Sequence, residues 1–240
     1  MKAINTIPEL IRQSLTDNID AKNIASSARY FKEGENAKVL GVKMAEVQLI
    51  AKAGFQLIKE YPKETIFELC GELWKSGYLE EAIIACVWSS LQHKKYEPAD
   101  FAIFEQWLNN YVTNWADCDT LCNNTIGLFL MKYPDYVALL KTWTKSPNRW
   151  VRRGSAVSLI IPSRKGMFLD DIFDIAAALM PDTDDLVQKG YGWLLKAASE
   201  ASQREVFDFV VRHKDKMPRT SLRYAIEKMP PAFKNEAMKK

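Results

Sequence analysis

The chain has 240 residues, 48% of them apolar and 26% charged, the composition of a folded globular protein with room for a sizeable core. This excludes a low-complexity or disordered chain, and a net charge of +3 is too small to specify a partner. Four cysteines and two isolated histidines make neither a disulfide framework nor a zinc site, and no apolar run reaches the ~20 residues needed to span a bilayer.

No secretory leader pattern opens the sequence, so a cytoplasmic protein with reduced thiols and no membrane attachment is expected. No cofactor is expected. Nor is a metal: Cys118 and Cys122 have i,i+4 spacing, but zinc would need two further ligands. Charge is unevenly spread. Residues 1–140 hold 14 Lys and Arg against 18 Asp and Glu, whereas residues 141–240 hold 19 against 12. A basic C-terminal portion is compatible with a docked polyanion, and equally with solvated helix faces.

Helical periodicity runs from the N-terminus onward. Ile7, Leu10, Ile11 and Leu15 form the first stripe. A loop carrying Tyr30, Phe31 and Gly34 follows, and Val42 to Val47 opens a helix continued by Ile50, Ala51 and Phe55 until Tyr61-Pro62. Amphipathic segments are then predicted over 64–75, 78–92, 99–112, 118–131, 134–145, 148–161, 169–179, 184–199, 202–214 and 219–228. Short connections containing Gly77 or Pro98, Pro134, Pro147, Pro162, Pro181 and Pro218 separate them. Asp100, Ser146 and Asp184 are candidate caps. No segment alternates long enough to require a strand. Helix pairs recurring about every 35–40 residues predict an all-α solenoid of HEAT-like antiparallel pairs, in a single domain over 1–240. A compact irregular bundle is the alternative.

Four side chains form an unusual chemical set. Trp115 and Asp119 are four apart, so on a helix they share one face while Asp117 points elsewhere. Either aspartate could instead cap a helix beginning near Cys118. Arg153 follows Arg152 and Trp150, and adjacent arginines splay by about 100°. Trp193 follows Gly190 and Gly192, each costing about 1 kcal/mol within a helix. Such glycines signal close approach to the backbone, by a neighbouring helix or by a ligand. Aromatic faces hold cationic groups, a carboxylate stabilises developing positive charge, and Arg grips phosphate. Together these groups suit chemistry on a cationic nucleic-acid lesion. Phosphate-binding loops, nucleophile elbows, HExxH helices and dinucleotide fingerprints are absent.

Tyr30-Phe31-Lys32, Gly41-Val42-Lys43, Asn114-Trp115 with Asp119, Ser146-Pro147-Asn148-Arg149-Trp150-Val151-Arg152-Arg153 and Val187-Gln188-Lys189-Gly190-Tyr191-Gly192-Trp193 occur in this order. With them the chain resembles the bacterial DNA alkylation repair glycosylases of the AlkD type. The resemblance implies a HEAT-like solenoid whose basic concave face cradles duplex DNA. It also implies removal of N3- and N7-alkylated purines without flipping the base into a pocket. On that likeness Asp119 stabilises the oxocarbenium-like sugar and positions water, Trp115 and Trp193 contact the lesion, and Arg153, or Arg152, holds the phosphate. Arg152, Lys189 and Lys43 are further DNA-binding candidates. Ala116 departs from an acidic residue common in the family, and Gln48 and Lys196 stand where arginines are frequent.

The expectation is therefore a metal-free, monomeric DNA-alkylpurine glycosylase acting on double-stranded DNA with alkylated bases. The rival is a non-catalytic HEAT-repeat module binding damaged or branched nucleic acid, or protein.

Overall fold

The stripe at the N-terminus forms the first helix of an all-α chain, in a computed structural model that describes residues 6–27, 29–31, 35 and 37–239. Lys32 and Gly34 lie outside the described residues. The chain divides into two units, Met1–Thr125 and Ile126–Lys240. Among the described residues there is no strand, only an isolated bridge between Lys38 and Tyr78.

The first unit holds α1 (Ile7–Thr16), α2 (Ala21–Ser27), α3 (Met44–Ile58), α4 (Lys63–Lys75), α5 (Leu79–Leu91), α6 (Asp100–Asn110) and α7 (Trp115–Thr120). Ile7, Ile11 and Leu15 are buried as the stripe requires, but Leu10 is 51% exposed. The hub is α5, on which α3, α4 and α7 pack. It buries an almost continuous run that includes Ile83, Ile84, Cys86 and Trp88. The Trp88 indole N–H donates to the Ala51 carbonyl at 2.8 Å. Gly54 admits the tight approach of α1 and α5, since a Cβ there would lie 2.6 Å from Ile11 Cδ1 and 2.9 Å from Trp88.

The second unit holds α8 (Gly127–Lys132), α9 (Val137–Trp143), α10 (Arg149–Val157), α11 (Ile160–Arg164), α12 (Leu169–Leu179), α13 (Asp185–Ala198), α14 (Gln203–His213), α15 (Arg219–Ile226) and α16 (Pro231–Met238). Its hub is α13, on which α10, α11, α12 and α15 pack. In both units, helices joined by short connections pack as neighbours, the helix-pair construction of a HEAT-like fold. No helix among the described residues is long and apolar enough to cross a membrane.

Three predicted helices differ in detail. The segment predicted over 118–131 begins at Trp115 and contains a π-helical turn, Leu121–Ile126. The segment over 134–145 opens with a 3₁₀ turn, Pro134–Tyr136. The segment over 148–161 breaks between Val157 and Ile160. Two short helices, α2 and α16, had no predicted counterpart.

Candidate functional site

In the first unit the site is built on the start of α7. Asn114 is its cap: the side-chain Oδ1 accepts from the Asp117 N–H at 3.0 Å, and Nδ2 donates to Asp117 Oδ2 at 2.6 Å. The cap is therefore Asn114 and neither aspartate. With this turn fixed, Trp115 and Asp119 lie one above the other on a helix face, and both are partly exposed.

Trp115 is held from a distant part of the sequence. Its indole N–H donates to the Tyr30 carbonyl at 3.1 Å, and the Phe31 ring lies 5.9 Å away, tilted by 33°. Trp115 and Ala116 border a cavity of about 360 Å³ shared with Tyr30, Phe31, Lys43 and Glu80. Two motifs read separately in the sequence, Tyr30-Phe31 and Gly41-Val42-Lys43, thus meet α7 in one place. Lys43 is exposed and stands at the cap position of α3.

Glu80 fixes the second motif. It is 2% exposed, and its carboxylate accepts from the backbone N–H groups of Leu40 (3.0 Å), Gly41 (2.8 Å) and Val42 (3.2 Å). Gly41 has φ +89°, and a Cβ there would collide with Ile24 Cγ1. Sequence reasoning passed over Glu80, although two adjacent acids at the head of the apolar run of α5 were a usable signal.

Asp117 and Asp119 have different surroundings. Asp117 is 4% exposed. Burial pushes its carboxyl up to about 7, the Asn114 hydrogen bond opposes this, and the Glu80 charge adds to it. Asp119 is partly exposed, and its backbone carbonyl accepts from Asn123 Nδ2 at 2.9 Å.

In the second unit, the arginine-rich start of α10 is tied to the start of α13. Asn148 caps α10 by accepting from the Trp150 N–H at 2.9 Å, and Ser146 Oγ accepts from the Asn148 N–H at 3.2 Å. Asp184 caps α13, accepting from the N–H groups of Leu186 and Val187. It also pairs with Arg149 at 2.9 Å, whose guanidinium lies 4.9 Å from the Trp150 ring centre.

Arg152 pairs with Asp182 at 2.6 Å and donates to the carbonyls of Ser146 and Pro147. Arg153 is 5% exposed; its Nη1 donates to the Leu186 carbonyl, and its stem lies against Gly190. Neither arginine therefore extends freely into solvent. Lys189 pairs with Asp185 at 2.8 Å. Lys196 pairs with Glu227 at 2.9 Å and lies over the Tyr224 ring.

The two glycines before Trp193 have packing roles. At Gly190 a Cβ would lie 3.3 Å from Arg153 Cγ, and at Gly192 it would lie 2.8 Å from Tyr224 Cβ and 2.9 Å from the Ser221 carbonyl of α15. Side chain and helix, not ligand, explain both. Trp193 is partly exposed, one turn beyond the Gly190–Arg153 contact. Among the described residues no group of three His, Cys, Asp or Glu side chains is placed to hold a metal, and Cys118 and Cys122 are both buried.

An all-helical chain with a capped Trp–Asp turn in one unit and an arginine-braced Trp helix in the other matches a known family across most of its length. The family model described as DNA alkylation repair enzyme matches residues 11–229, and the chain belongs to that family. Among solved structures, it is similar to one titled as a predicted DNA alkylation repair enzyme from Enterococcus faecalis. That match has 14% identity and a TM-score of 0.78, covering 89% of this chain and 98% of the other, and at that identity it speaks for the fold alone. A comparison with curated proteins finds no match.

Proposed function

We propose that the protein is a DNA glycosylase that hydrolyses the N-glycosidic bond of positively charged N3- and N7-alkylated purines in duplex DNA, without drawing the base into a pocket. The observation that carries this reading is the α7 turn, where Asp119 and Trp115 share a partly exposed face and the indole is held by Tyr30 and Phe31. Membership of a DNA alkylation repair family supports the substrate class.

The chemistry asks little of a general acid. Alkylation leaves the purine cationic, so when the C1′–N bond breaks its electron pair neutralises the departing base. Positive charge then develops on the sugar. A fixed carboxylate stabilises that charge, and in this reading Asp119 supplies it and orients the water that adds at C1′ and gives up a proton. Trp115 and Trp193 present π faces that favour a cationic lesion.

Arg153 is the phosphate contact in this reading. Because it is 5% exposed and its Nη1 donates to the Leu186 carbonyl, that role requires the guanidinium to turn outward when DNA binds. Arg152, Lys189 and Lys43 contribute to DNA binding. At Arg152 and Lys189 a phosphate competes with Asp182 and Asp185. The family model covers residues 11–229 and so runs through both units, which supports reading 1–240 as one HEAT-like domain. We take that domain to act as a monomer.

The test separates binding from excision. Asp119→Asn should bind alkylated duplex with nearly unchanged affinity and release 7-methylguanine at least ~10²-fold more slowly in single turnover. Release at the wild-type rate would remove Asp119 from the chemistry.

A further inference from the structure

Asp117 sits between the two α7 residues of the site and takes no direct part in the glycosidic step. Its carboxyl is nonetheless built into the turn that sets them. Oδ2 accepts from Asn114 Nδ2 at 2.6 Å while its own N–H donates to Asn114 Oδ1, so one reciprocal pair starts the helix. Oδ1 is buried, and no group among the described residues hydrogen-bonds it. From α5, the helix packed against α7, Glu80 and Cys86 face it. On its own element the neighbouring ionisable groups are Cys118, which is buried, and Asp119. A carboxylate and a thiol offer nothing to offset a negative charge. An ionised Asp117 must therefore draw water to Oδ1, and the route open to it is a loosening of the first turn of α7.

We propose that Asp117 is a positioning residue: as the neutral acid it holds Trp115 and Asp119 in working register, and its ionisation loosens the Asn114 cap and slows base release. The proposal rests on the glycosylase reading of the α7 site. Burial, with Glu80 adding to it, places the titration at about 7, within the range where the enzyme would work. The sign follows from linkage. An unfolded aspartate ionises near 3.8 and the folded one near 7, so the neutral acid's contribution to stability is complete below the unfolded value. It is lost as pH rises between the two, and the loss is constant above both.

Two measurements judge this separately. In the wild-type protein without DNA, with ¹³C-labelled aspartates assigned through the backbone, the Asp117 carboxyl should titrate with a midpoint near 7. Titration of Asp117 in the ordinary aspartate range would overturn the proposal whatever the activity. In single-turnover release of 7-methylguanine from about pH 6 to about pH 9, the wild-type rate should fall about tenfold through that midpoint.

Asp117→Asn, which mimics the neutral acid, should hold the acid-side rate without the fall. A flat wild-type profile, or the same fall in the Asn variant, would also overturn it. No release by wild type at any pH would defeat the glycosylase reading and the positioning role together. An NMR midpoint near 7 would then locate the failure in the assigned reaction, with the Asp117 environment as described.

Discussion

Two carboxylates two positions apart on α7 meet opposite environments, and helix geometry is the reason. A 200° rotation separates their side chains, so Asp119 reaches a partly exposed face while Asp117 turns inward. That division was legible from the Trp115–Asp119 spacing. The cap was not: Asn114 and the two aspartates are all competent caps, and only the backbone selects among them. Asp100 shows the same ambiguity. Read as a cap, it is instead a buried partner of Lys63, which lies 2.9 Å from Asp100 and 2.8 Å from Glu97. Burial lowers the Lys63 pKa, but the hydrogen bonds to Glu97 and Asp100 together raise it. Lys63→Ala strands the Asp100 charge in the interior and should cost about 3 kcal/mol in urea unfolding at neutral pH. A loss below about 1 kcal/mol would mean that solvent reaches Asp100 more readily than its burial indicates.

At the scale of elements, most helices could be read because an apolar stripe marks the buried face of each. The helix α2 could not: none of its residues is buried, and α16 buries only Ala237. The break after Val157 has a covalent cause. Pro162 has no N–H for the Ser158 carbonyl and its ring clashes there, so the helix yields four residues before the proline and not at it. The π turn Leu121–Ile126 adds a residue to the repeat, which periodicity cannot show. Within α13 the two glycines were legible as sites of close approach, and α15 is what approaches Gly192. Because the neighbours there include the Ser221 backbone, Gly192→Ala must push two helices apart. It should destabilise the protein by about 1–3 kcal/mol, read as a lower denaturation midpoint at unchanged slope. A neutral or stabilising alanine would contradict that packing.

For the whole molecule, the basic excess seen along the sequence coincides with one structural unit. Ile126–Lys240 carries 20 Lys and Arg against 13 Asp and Glu, while Met1–Thr125 carries 13 against 17. Many cations of the basic unit, among them Lys141, Arg152, Lys189 and Lys196, are already paired within it. The composition could not reveal that pairing, so the excess and not the raw count is what DNA would meet. Affinity for duplex DNA should therefore fall steeply with salt, by about 10³ between roughly 50 and 200 mM if some six phosphates are neutralised. A salt-insensitive association would indicate a protein partner instead.

The central claim is catalysis at the α7 turn, and release of 7-methylguanine from a defined duplex tests it most directly. Wild type should release the base, Asp119→Asn should be slower by at least ~10²-fold, and Trp115→Ala should also be impaired. No release by wild type, with salt-sensitive DNA binding retained, would contradict the glycosylase account and leave a nucleic-acid-binding helical-repeat protein in its place.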